Sequence, residues 1–61
     1  MPQIKDIIAN NRKKKKWSQI ELSRELEKEG LSIDHKIISK WERGISEPGA
    51  SVFLQLCRVL D

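Results

Sequence analysis

Sixty-one residues suffice for one small domain, which buries only about 60% of its unfolded surface and has no room for a large catalytic cleft. One cysteine and one histidine exclude an intrachain disulfide and the ligand set of a structural zinc site, and they point to a reducing compartment. The net charge of +3 conceals an unbroken basic run from Arg12 to Lys16, whose natural partner is a polyanion or an acidic surface.

Ile4, Ile7 and Ile8 recur at helical spacing and predict a first helix over about 3–15. The opening MPQIKDIIANN lacks the charged, apolar and small-residue order of a signal peptide. No apolar run approaches the ~20 residues of a membrane span, so a soluble, cytoplasmic protein without membrane partners is expected.

SQIE, Ser18 to Glu21, is a capping box: the Ser18 hydroxyl can accept from the Glu21 amide while the Glu21 carboxylate accepts from the Ser18 amide. A second helix then runs over about 19–29 through Leu22 and Leu26, and Gly30 can take the left-handed conformation that ends it. Asp34 is the best cap for a third helix over about 35–42, with Ser32 as a competitor; Ile37 or Ile38 pairs with Trp41, and Gly44 stops the helix. Pro48 and Gly49 open a fourth over about 50–60, with Phe53, Leu56, Cys57 and Leu60 on its apolar side. No alternating pattern, repeat or low-complexity segment competes, so residues 1–61 are expected to form one all-α domain. Four helices in so few residues cannot each bury a face against one partner, so they must cross as an orthogonal cluster around a shared small core. Two short helices joined by a tight link, with bases on the second, suit a major groove. Leu22, Leu26, Ile38, Phe53, Leu56 and Leu60 are expected in the core, with Trp41 covering it and Cys57 inert within it. Glu42 is out of place, because the end of a helix favours a base.

WSQIELSREL followed by IISKWERGISEPGASVFLQLCRVL resembles the Cro/C1-type helix-turn-helix domain, the class of the phage λ and 434 repressors and many bacterial regulators. Arg12, Gln19, Glu21, Leu22, Ser39, Glu42, Gly44, Pro48, Leu56 and Leu60 carry the match, which extends from about Ile4 to Leu60. The chain departs from the family pattern in a longer passage from the second to the third helix, placed in EKEGLSI. It also departs in Lys16, where a glycine often stands. The resemblance implies a compact four-helix, lambda-repressor-like domain, or a five-helix one truncated after its fourth helix.

The resemblance also implies roles. His35, Lys36 and Lys40 would read base edges, joined by Ile37 against a thymine methyl and, less favourably, by Ser39; the competing view is a solvated basic face. Gln19 would bond the DNA backbone and brace the third helix, beside Ser18. Arg43, Ser46 and the loop amides after Gly44 would lie along a phosphate strand. Of the basic run, one or two of Lys13 to Lys16, Lys16 foremost, would approach phosphates and the others would be solvated, against a nuclear-localisation signal or a generic solvated face. Arg12 and Glu42 would form a buried salt bridge, which explains the misplaced acid. Trp17 takes the position of a packed apolar residue, with base stacking as a minor alternative.

The expected function is sequence-specific binding of double-stranded DNA by a transcriptional repressor working as a homodimer on an inverted repeat. An antitoxin or protein-interaction module of the same fold is the alternative. No nucleophile motif, glycine-rich phosphate loop or carboxylate pair suggests an enzyme, and no metal, cofactor or small-molecule ligand is expected. A membrane-surface role lacks a large aromatic apolar face to insert.

Overall fold

The computed structural model describes residues 2–61 and contains four helices: α1 (Ile4–Lys14), α2 (Gln19–Lys28), α3 (His35–Glu42) and α4 (Ala50–Leu60). No strand occurs among the described residues, so the fold is all-α, as the helical spacing predicts.

The starts of α2 and α3 follow from side chains that satisfy the first free amides. Ser18 Oγ accepts from the Glu21 amide at 3.1 Å, and the Ser18 amide donates to Glu21 Oε1 at 2.8 Å, closing the capping box of α2. Asp34, rather than Ser32, caps α3, with its Oδ1 accepting from the Lys36 amide at 2.9 Å.

The first three helices all stop with the Schellman pattern, in which two amides beyond the helix bond back to carbonyls of its last turn. After α2, Gly30 donates to the Glu27 carbonyl and Leu31 to the Leu26 carbonyl. After α3, Gly44 donates to Trp41 and Ile45 to Lys40. The pattern needs a left-handed residue, and Gly30 at φ +87° and Gly44 at φ +75° supply it. After α1, Lys16 donates to Lys13 and Trp17 to Arg12, with Lys16 itself at φ +59°. A lysine thus does the work of a glycine at the turn into α2.

Each of α1 and α2 packs on both α3 and α4. Ile8 of α1, Leu22 and Leu26 of α2, Ile38 and Trp41 of α3, and Leu56 and Leu60 of α4 form the buried core. Within each of the last three helices the two members are three or four residues apart, so each presents one stripe inward. Burying such an aliphatic side chain contributes about 1.5–3 kcal/mol, so a core this small can spare none of them.

Two core expectations need correction. Phe53 is only half-buried, packing on the edge of the core, and Cys57 is exposed. Positions 53, 56, 57 and 60 all match helical spacing, but α4 buries a stripe centred on Leu56, with Val52 and Val59 at its margin. At about 100° per residue, Phe53 falls at the edge of that stripe and Cys57 a further 40° or so outside it.

Candidate nucleic-acid interface

The interface begins with α3, whose inward stripe fixes what its other side presents. Ile38 is fully buried and Trp41 nearly so, which leaves Lys36, Ile37 and Lys40 exposed. Lys36 and Lys40 lie one turn apart and so share a face. His35 and Ser39 flank it, each half-buried. His35 Nε2 lies 3.7 Å from Asp34 Oδ1, the oxygen that caps the helix, so the ring lies beside the carboxylate at the helix start. The Ser39 carbonyl accepts from both the Arg43 amide, at 3.0 Å, and Arg43 Nε, at 3.3 Å. This folds an exposed guanidinium back on the last turn of α3, while leaving its remaining N–H groups to solvent.

Glu42 ends α3 as the centre of a polar cluster joining three helices. Arg12 Nε donates to Glu42 Oε2 at 2.7 Å and Nη2 to Oε1 at 2.9 Å, a bidentate pair. Arg12 Nη1 donates to the Trp17 carbonyl at 2.7 Å, and Gln19 Nε2 donates to Glu42 Oε1 at 3.2 Å. The side chains of Arg12 and Glu42 are 13% and 9% exposed, so the pair is largely buried but keeps an edge to solvent. Hydrogen bonding by Glu42 raises the arginine above its ordinary value against the burial that opposes it. A carboxylate at the end of α3 is accommodated because three donors converge on it.

The same cluster ties the start of α2 to the end of α3. A helix leaves its first amides without intrahelical acceptors, and Ser18 occupies that of Glu21, so those of Gln19 and Ile20 stay free for an anion. Gln19 spends one N–H on Glu42 and keeps the other, together with its carbonyl oxygen. Ser18 accepts from Glu21 through Oγ and retains its own proton to donate. Glu21, fully exposed, is held below its ordinary carboxylate value chiefly by the Ser18 backbone N–H and then by the Ser18 side chain. Any phosphate at this helix start shares it with that negative charge.

Lys13 to Lys16 are all exposed. Lys15 sits over the Trp17 ring with Nζ 5.5 Å from its centroid, and Trp17 is half-buried against the core. The ring is therefore packing and a platform for a cation. Ser46 is exposed in the loop after Gly44, and no hydrogen bond joins it to the cluster at Glu42.

Two features of this region have no counterpart in the sequence reading. The Trp17 carbonyl is a third acceptor for Arg12, and Ser23 Oγ donates to the Ile33 carbonyl at 2.5 Å just before α3. Both acceptors are backbone carbonyls placed by the chain path, for which residue types carry no signal. Among the described residues, no group of three or more His, Cys, Asp and Glu side chains is placed to hold a metal ion.

Comparison with known proteins matches residues 8–61 to a family model described as helix-turn-helix, while no curated protein and no solved structure matches the chain. That match spans α1 from Ile8 onward and the whole of α2, α3 and α4. The chain therefore belongs to the helix-turn-helix family, as a DNA-binding domain of the Cro/C1 type with a lambda-repressor-like four-helix fold.

Proposed function

We propose that the chain is a sequence-specific transcriptional repressor that binds double-stranded DNA as a homodimer in the cytoplasm. In this reading α3 enters the major groove. His35, Lys36, Ile37, Ser39 and Lys40 approach base edges, while Lys16, Ser18, Gln19, Arg43 and Ser46 approach phosphates. Lysine can donate to guanine O6 and N7, and the exposed Ile37 suits a thymine methyl. The main support is the brace from Gln19 and Arg12 to Glu42, which joins the helix start suited to a phosphate to the end of the helix suited to the groove. One contact thus registers the other.

Geometry and the number of base contacts favour a dimer. Each copy carries one α3 to enter a groove, and half-sites one turn apart on one face of DNA are separated by ~34 Å. One copy therefore covers a single half-site, and its few base contacts select poorly among a genome's competing sites. Two copies on a symmetric operator multiply the discrimination.

Selection of bound sequences from a random duplex pool, followed by footprinting, tests this. An inverted repeat is expected. A single asymmetric half-site removes the dimer, and a pool without enrichment removes sequence-specific binding altogether. Lys36→Ala should relax base preference at one position of each half-site, whereas Arg43→Ala should weaken all sequences alike.

A further inference from the structure

The chain between α2 and α3 is a wide passage rather than a tight turn, and two devices hold its far end. Ile33, the residue before the Asp34 cap, packs its side chain against the core. It stands in the hydrophobic-staple relation to the fully buried Ile38 of α3. Its carbonyl lies outside the helix ladder and accepts instead from Ser23 Oγ at 2.5 Å, a partly buried bond spanning ten residues. A serine inside a helix commonly turns its hydroxyl to solvent or to a carbonyl one turn back. Ser23 sits within α2 and sends its proton across to the entry of α3 instead.

Packing against the core fixes where Ile33 sits, and the hydroxyl fixes how its peptide plane is turned. The next peptide leads into Asp34, whose carboxylate and carbonyl set the first turn of α3 by accepting from Lys36 and Ile37. At its other end α3 is held by Arg12 and Gln19 through Glu42. Fixed at both ends, an eight-residue helix has little freedom to rotate about its axis.

We propose that Ser23 is a positioning residue for base recognition: its bond to the Ile33 carbonyl sets the rotation at which α3 presents Lys36, Ile37 and Lys40. The inference rests on the DNA-reading role proposed above. Hydrogen bonds to base edges work within a donor–acceptor window of about 0.5 Å, so a small rotation costs discrimination, while phosphate attraction tolerates it.

The test compares Ser23→Thr with Ser23→Val, which share a shape and differ in the hydroxyl, and uses Ser23→Ala as the least disruptive replacement. Affinities for a selected duplex and for a random duplex are measured well below each variant's melting temperature. The valine and alanine variants should lose about tenfold in the selected-to-random ratio while their random-duplex affinity stays within about twofold, and threonine should restore the ratio. Equal losses on both duplexes, an unchanged ratio, or valine behaving as threonine does would overturn the role of Ser23. A wild-type protein with no preference between the duplexes would overturn the DNA-reading role itself, and this inference with it.

Discussion

Lys16 holds φ +59°, a conformation that costs an L-residue with a Cβ about 1–2 kcal/mol. The Schellman turn after α1 requires it, since the amides of Lys16 and Trp17 both bond back into the helix. Glycine would remove that cost but adds unfolded-state entropy worth about 0.5–1 kcal/mol. Lys16→Gly should therefore stabilise the fold by about 0.5–1 kcal/mol, read from the urea midpoint at unchanged m-value. The same variant should bind duplex DNA more weakly, because a cation at the phosphate rim is gone. Lower stability would show that the turn is not strained, and unchanged affinity would take Lys16 out of the interface. Glu42 tests the opposite kind of residue, held by partners rather than by backbone. Glu42→Ala leaves Arg12 largely buried without its carboxylate, and with an edge in solvent the expected loss is about 2–4 kcal/mol. Replacing Arg12 by methionine in the same chain should recover part of that loss, because no unpaired charge is then left inside. A double variant whose stability equals the sum of the two single losses would mean that the pair is not coupled.

Among the elements, α2 carries a proton-linked prediction. The exposed Glu21 carboxylate has its folded-state value lowered from 4.5, first by the Ser18 backbone N–H and then by the Ser18 side chain. A lowered folded value means the contribution is complete above the unfolded value and is lost as pH falls through the folded one. Glu21→Gln keeps a capping-box side chain without the titration. The stability advantage of wild type over this variant at pH 7 should shrink at pH 3, compared by urea midpoints; an advantage of constant size would exclude the carboxylate as its source. Ser18, Glu21, Gly30 and Gly44 made α2 and the end of α3 legible, because capping and left-handed termination depend on residue type a few positions away. Asp34 was legible as the cap of α3 by the same rule, and the path of the turn excludes its competitor Ser32. Cys57 was misplaced because α4 has apolar residues around more of its circumference than four short helices can cover. The pairing of Arg12 with Glu42 came from resemblance, since no local rule joins residues 30 apart. Ser23 and the Trp17 carbonyl were not legible, because each contact exists only once the chain has turned.

For the whole molecule, the net charge of +3 matters less than where the bases lie, and salt reveals the difference. A ligand that binds only the native state stabilises it by mass action, about 2.7 kcal/mol at 100 times its Kd. For a domain of this size each kcal/mol moves the melting temperature by about 4–8 °C, so a saturating operator duplex at 50 mM salt should raise it by about 10–20 °C. If Lys16, Lys36, Lys40 and Arg43 displace about four counterions per copy, log affinity falls with log salt at a slope near −3.6. Going from 50 to 200 mM salt then weakens binding about 150-fold, and the same duplex concentration that was 100 times Kd becomes comparable to Kd. The stabilisation should drop below about 0.5 kcal/mol and the melting shift to a few degrees. Calorimetric melts of the chain with and without duplex at the two salt concentrations measure both increments. No shift at 50 mM would remove DNA as the partner, and an equal shift at both would mean that the basic face contributes little to binding. Lys13→Ala and Lys14→Ala should leave the salt slope in place, since those side chains are assigned to solvent, whereas Lys16→Ala should reduce it by about one unit.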